Sequence, residues 1–421
     1  MAARKLIETS NNYNKPYRPL PIALFNSVGR VVEKLGAIPD LNVHHLMENA
    51  RKKTGLIDFG DEFFVEPLTV LVDSINREAH LTPLGKLIQK NRLESALVVR
   101  LRAQQLFKLH PEILKVDLGK IIIIAGLQRT GTTTLHRLLA SDPKMRALYA
   151  WEALNPVPLP REKPGHPDAR IAQAKTAEKG LAYLAPEFFA IHPVEHDAPE
   201  EDVLLLDLSF MSQSPEATLN VPTYADWLEK QDHTKAYEYL YKILQLLHWQ
   251  RPAQNWVLKT PHHMEYLDVI LKVFPNAYIV QTHRDPQKTT GSFCSMVSHG
   301  RGVFSDEVDA VAVARHWVRK VNRLMQLSMQ VRASGFESRF IDVSYYDLLK
   351  DPIREVERIY QFAGIPFDID AIRAAEATKE KNVQHRYGRH HYNLADFGLS
   401  KEEIEKQYGF YRQRYGIPYE K

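Results

Sequence analysis

Between Pro67 and Ile113 apolar residues recur at every third and fourth position, the spacing of amphipathic helices. Thr82 followed by Pro83 reads as a cap and a first helical residue, and His110-Pro111 as punctuation. No strand of useful length is expected before Lys120, so residues 1–117 are predicted to form a helical region packed on a main domain. At Lys120 the texture changes. Ile121 to Ile124 run into a glycine-bearing turn, and an amphipathic helix follows. A second unit of this kind spans 255–286, with a strand at Trp256–Leu258, a helix from Pro261 to about Phe274 and a strand at Ala277–Thr282. A third strand is expected at Arg339–Val343, ahead of a helix opened by Asp351-Pro352. Strands alternating with helices imply the α/β class, with a central parallel sheet flanked by helices in three layers. The proline-rich stretch 155–197 reads as a long excursion over the site. Residues 118–380 would be the core, and 381–421 a basic, aromatic tail closing over the site.

Composition narrows the function classes. The 421 residues are 44% hydrophobic and 25% charged, enough for a large core without disulfides, and Cys294 stands alone. The net charge of +4 is too small to argue for nucleic acid and suits a local basic pocket for a small anion. No apolar run approaches the roughly 18–20 residues of a membrane span. No secretory leader is recognisable, and a cytoplasmic location is expected.

The most informative segment is Gly126 to Thr134, where a buried strand turns through two glycines into a threonine-rich helix start. Unpaired N–H groups and the positive end of the helix dipole make such a start an anion site. The glycine spacing is that of a P-loop, but Thr132 stands where a nucleotide-triphosphate site needs lysine, and Arg129 brings the cation earlier. Farther on, Thr282-His283-Arg284-Asp285-Pro286 ends a strand, with Ser292 eight positions after Arg284. A guanidinium and a hydroxyl so placed suit a phosphate. The His-Arg-Asp triplet also occurs in protein kinases, but that motif needs Asn five places on, where Thr290 stands.

These segments resemble the sulfotransferases that use 3'-phosphoadenosine 5'-phosphosulfate (PAPS), including the tyrosylprotein and bacterial carbohydrate or lipid branches. The family's phosphosulfate loop matches Gln128-Arg129-Thr130-Gly131-Thr132-Thr133, and its 3'-phosphate motif matches Arg284 and Ser292. The block Tyr345 to Pro352 resembles a third family segment. The likeness spans roughly residues 120–395 and implies a P-loop-like fold. It implies further that Arg129, Thr130, Gly131, Thr132, Thr133 and Thr134 hold the phosphosulfate and that Arg284 and Ser292 hold the 3'-phosphate. Tyr345 would touch the nucleotide, and the basic loop with Arg386 and Arg389 would close over the 3'-phosphate. No metal is required.

Sulfuryl transfer to an alcohol calls for a general base. Glu152, twenty-three positions after Arg129, matches a family glutamate base, and its apolar neighbours would raise its pKa. Lys259, ahead of Thr260-Pro261, resembles the family lysine on the leaving oxygen, and Arg129 would assist it from the other side. Glu201 is the reserve base and a histidine the third choice. Glu200, Glu201 and Asp202 read first as acids in a helix's first turn. His262 and His263 read as satisfied surface histidines. His192 and His196 form no recognised metal motif, because proline interrupts them. The expected activity is transfer of a sulfuryl group from PAPS to the hydroxyl of a lipid, sugar or other small acceptor, through a soluble chain with no nucleic-acid partner. The alternatives are a divergent P-loop kinase or NTPase and a nucleotide-binding module without catalysis.

Overall fold

The computed structural model describes residues 7–36, 38–381 and 388–420, without the side chains of residues 8, 388 and 389. The N-terminal region is helical as expected: α1 (Leu20–Lys34), α2 (Val43–Thr54), α3 (Val65–Glu78) and α4 (Pro83–Leu109). The Thr82 hydroxyl caps α4 by accepting from the Gly85 N–H at 3.0 Å. One short strand was not expected so early. Ile7–Glu8 pairs in parallel with Gly388–Arg389.

Five parallel strands form the central sheet: β1 (Ile121–Ile124), β2 (Met145–Ala147), β3 (Asn255–Lys259), β4 (Ala277–His283) and β5 (Phe340–Ser344), in the order β2-β3-β1-β4-β5. The four isoleucines of β1 divide between two apolar clusters. Ile121 and Ile123 pack with Trp256, Leu258 and Ile279 on one face, in a cluster that also takes in Leu46, Phe64 and Leu97 of the N-terminal region. Ile122 and Ile124 pack on the other face with Leu135, Leu138, Val257, Val280 and Ile359. Burial on both faces is why the strand reads as a continuous aliphatic run rather than an alternating one.

The expected helix from Pro261 to Phe274 divides into a 3-10 turn (Pro261–Glu265) and a short α-helix (Leu267–Val273). Tyr266, at φ −129° between them, breaks the run. β2 has no counterpart in the sequence pattern, because it is three residues long and carries a charged side chain, Arg146, at its centre. After β1 the chain forms α5 (Thr132–Leu139) and α6 (Ala150–Leu154). After β4 it forms α7 (Pro286–Phe304), and α8 (Lys401–Tyr415) closes the fold beside α7. The strand order reverses across β1, so the carboxyl ends of β1, β3 and β4 open on one crevice, where open α/β sheets bind ligands.

Candidate active site

The turn after β1 is held open by its smallest residues. A Cβ on Gly126 would lie 1.9 Å from the Thr282 hydroxyl oxygen of β4. Gly131 adopts φ +88° as it caps α5, a conformation suited to glycine. Arg129 is left-handed as well, at φ +66°, which is uncommon for a residue with a side chain. Thr130 is fully buried; its hydroxyl lies 2.5 Å from both the Leu127 carbonyl and the Thr282 hydroxyl. Thr130 thus fastens the loop and has no hydroxyl to offer a ligand. Thr133 and Thr134 are exposed on the first turn of α5, where backbone N–H groups lack acceptors within the helix.

Arg129 turns toward α7. Its Nε donates to Ser292 Oγ at 3.1 Å and one terminal nitrogen to the Ile191 carbonyl at 3.4 Å. Arg284 donates to the Arg129 carbonyl at 3.1 Å, and its guanidinium lies 4.0 Å from the centre of the Tyr345 ring. Burial, and then the like charge of Arg284, lower the Arg129 pKa. Two neighbouring guanidinium groups, one of them bonded to Ser292, have the charge and the donors that suit an anion. The Nε–terminal-nitrogen edge of Arg284 is already engaged by the Glu420 carboxylate, at 2.7 and 3.0 Å. The Tyr346 hydroxyl donates to that carboxylate at 3.1 Å, and the Glu420 N–H donates to Asp285 at 2.7 Å. His390, which hydrogen-bonds Ser292 at 3.3 Å and Ser295 at 2.9 Å, completes the cluster. Glu420 and His390 carry no local motif that singles them out, whereas Tyr346 lies in the Tyr345–Pro352 block. Arg386 lies outside the described residues, and only the backbone of Arg389 is described.

Lys259 ends β3 with its side chain buried and its Nζ 2.6 Å from Glu201 Oε1. Thr260 Oγ1 donates to the other Glu201 oxygen at 3.2 Å. Behind them Asp202 accepts from the Lys259 N–H at 3.0 Å and meets His263 Nε2 at 2.7 Å, while the Tyr237 hydroxyl lies 2.9 Å from His263 Nδ1. His262 and His263 are therefore buried, contrary to the surface placement expected of them. Burial lowers the His262 pKa well below its usual value, so that ring is neutral. His136 is pushed down to about 3 by burial and then by the charge of Lys259. His196 pairs with Glu178 at 2.6 Å.

A cavity of about 280 Å³ opens beside Glu201. Phe188, Leu204, Phe293, Met296 and Trp317 give it apolar walls, and Gln128, His192, Glu201 and Thr260 form its polar end. Phe188 and His192 come from the proline-rich excursion, which does reach the site. The excursion is tied to α5 by Arg137 and Glu195, 2.6 Å apart.

Glu152, expected as the base, is buried and lies away from the cavity lining. Arg146 grips both its oxygens, at 2.9 and 2.5 Å, Arg251 approaches to 3.2 Å, and the Tyr149 N–H donates at 3.0 Å to cap α6. Burial by itself raises its pKa, but the charge and hydrogen bonds of Arg146, with the charge of Arg251, outweigh it and hold the carboxyl below its ordinary value. The apolar neighbours visible in the sequence suggested the opposite shift. A carboxylate so saturated is a poor proton acceptor.

A parallel sheet with a glycine-bearing turn on its central strand, a basic cluster on the next strand and a buried lysine on the third defines a P-loop-like α/β protein. The chain belongs to the sulfotransferase family, whose model matches residues 122–369. It is similar to the crystal structure of sulfotransferase STF1 from Mycobacterium tuberculosis, with TM-score 0.78 and 33% identity over 88% of this chain and 99% of that one. It is likewise similar to sulfotransferase STF9 from Mycobacterium avium, with TM-score 0.81 and 26% identity over 89% and 97% of the two chains. The omega-hydroxy-beta-dihydromenaquinone-9 sulfotransferase Stf3 of Mycobacterium bovis is 26% identical over 261 residues, 58% of this chain. That match spans 62% of the relative's own length.

Proposed function

We propose that the protein transfers a sulfuryl group from PAPS to the hydroxyl of an apolar acceptor, with Glu201 as the general base. The observation that carries this reading is the Lys259–Glu201 pair, 2.6 Å apart, at the polar end of an apolar cavity that also borders the phosphate loop through Gln128. The named activity of Stf3 on a hydroxylated menaquinone derivative supports an acceptor of lipid character.

The donor set fits a nucleotide phosphorylated at both ends. The first turn of α5, with Thr132, Thr133 and Thr134, would hold the phosphosulfate by its N–H groups and hydroxyls. Arg284, Ser292 and Arg129 would hold the 3'-phosphate, and Tyr345 would support Arg284 from beneath. The guanidinium of Arg129, expected at the sulfuryl end, is directed to Ser292. Its charge still reaches His192 at the cavity wall, as does that of Lys259.

PAPS supplies a sulfuryl group on a phosphate leaving group. Glu201 takes the proton of the acceptor hydroxyl as its oxygen attacks in line. Lys259 stabilises the charge that develops on the departing phosphate oxygen. Asp202, by holding the Lys259 backbone and His263, positions the lysine. The cavity walls keep water from competing as acceptor.

Labelled PAPS offered with long-chain alcohols, hydroxylated quinones, sugars and phenols tests the reading, with ATP-Mg²⁺ as the control for a kinase. Glu201→Gln is expected to lower kcat by about 10²–10⁴-fold and to leave the affinity for 3',5'-ADP unchanged. Transfer from ATP, or near-normal sulfation by Glu201→Gln, would overturn the assignment.

A further inference from the structure

Helix α1 carries a row of large aliphatic side chains that nothing among the described residues covers. Leu20, Leu24, Val28, Val31 and Leu35 follow one another at helical spacing and are 73, 60, 64, 59 and 79% exposed. The row runs the length of the helix, about 22 Å at 1.5 Å per residue. The opposite face is firmly seated. Asn26 is buried and accepts from the Leu84 N–H at 3.0 Å, and Gly29 lies so close to Pro83 that a Cβ there would be 2.5 Å from its ring. The apolar row is therefore held outward by a docked helix.

Charge decides between the occupants. Lys34 is exposed at the carboxyl end of the row, Lys15 is exposed five positions ahead of Leu20, and neither makes an ion pair among the described residues. The single acid of the helix, Glu33, is held by Lys86 at 3.1 Å. Parallel pairing with a second copy would set Lys34 against Lys34, and antiparallel pairing would bring it toward the end from which Lys15 precedes the helix. An anionic lipid surface has the complementary charge, and lysines at the ends of an apolar face reach the headgroups while their stems stay in the apolar layer. Position points the same way. Tyr17 and Arg18, just ahead of the helix, line a surface pocket together with Phe188, and Phe188 also walls the acceptor cavity. No helix among the described residues is long and apolar enough to cross a membrane, so the contact would be interfacial.

We infer that α1 lies on the surface of an anionic phospholipid bilayer, with its row of five aliphatic residues in the interface, and brings the mouth of the acceptor cavity to the lipid. The purpose of the contact rests on the proposed apolar acceptor; the contact itself does not.

The full chain is sedimented with vesicles of phosphatidylcholine, with and without phosphatidylglycerol. Binding is expected to the anionic vesicles, weakening as salt is raised. The double variant Leu24→Asp/Val28→Asp should lower the partition coefficient by about tenfold or more with its circular dichroism and melting temperature unchanged, since neither side chain is in the core. Lys15→Glu/Lys34→Glu should reduce binding to the level seen with phosphatidylcholine alone. Equal partitioning of wild type and both variants would overturn the inference. A lipid-free dimer that Leu24→Asp/Val28→Asp dissociates would overturn it in favour of a second copy. Sulfation of a short water-soluble alcohol separates the two proposals. Vesicle binding without sulfation removes the function alone, and sulfation without vesicle binding removes the membrane contact alone.

Discussion

Glutamine at position 152 leaves Arg146 enclosed in protein with its counter-charge gone. Arg146 is fully buried and keeps neutral partners, among them the Arg251 carbonyl at 3.0 Å, but no second carboxylate among the described residues replaces Glu152. Removing one member of a buried pair costs about 3–5 kcal/mol. With 421 residues and an unfolding entropy of about 2.1 cal/mol/K for each, the whole chain changes by about 0.9 kcal/mol/K, so the melting temperature should fall by about 3–6 °C. Calorimetry on wild type and Glu152→Gln measures this directly. Turnover, assayed well below both melting temperatures, should stay within about tenfold of wild type, because Glu201 and not Glu152 stands at the cavity. The pH dependence has a definite sign. The folded pKa of Glu152 is depressed, so its stabilisation is present above the ordinary value of 4.5 and is lost as pH falls through the lower folded value. The variant should lack that acid-sensitive component. An unchanged melting temperature with turnover reduced more than about 100-fold would refute the reasoning and restore Glu152 as the base.

Arg284→Ala should weaken 3',5'-ADP by about 10–100-fold, the worth of a charged hydrogen bond. The affinity for 5'-AMP, which has no 3'-phosphate, should change little; equal losses in calorimetry would remove Arg284 from the 3' end. Gly131→Ala places a Cβ 3.0 Å from the Tyr345 ring at a φ of +88° and should cost at least about 1–2 kcal/mol in denaturant unfolding; an unshifted midpoint would show that the loop relaxes. Burial pushes the Cys294 thiol up to about 12, so a disulfide reagent at neutral pH should label it only on unfolding. Stoichiometric labelling of the native chain within minutes would contradict its burial.

What could be foreseen from the chain is what short-range physics dictates. Ile121 to Ile124 announced a strand buried on both faces, and Gly126 and Gly131 announced a turn where side chains do not fit. Thr82 and Pro83 marked the start of α4 for the same local reason. The chemistry at the site depends on partners far apart in sequence. Glu201 meets Lys259 across 58 residues, and Glu152 meets Arg251 across 99. Neighbouring residues suggested an apolar setting for Glu152, while the arginines that reverse its pKa come from β2 and from the approach to β3. No hydrophobic period records such meetings, which arise only once the sheet has assembled.

The grip of Glu420 on Arg284 would make entry of an anion at that guanidinium an exchange. Any anion that takes the same edge of that guanidinium must displace a carboxylate carried by the same polypeptide and therefore present at a constant, high local concentration. Its net gain is the difference between two charge-assisted contacts, and a dianion has the advantage over a monoanion. The displaced residue also gives up its bonds to Tyr346 and Asp285, so occupancy of the pocket is linked to the position of the segment that follows α8.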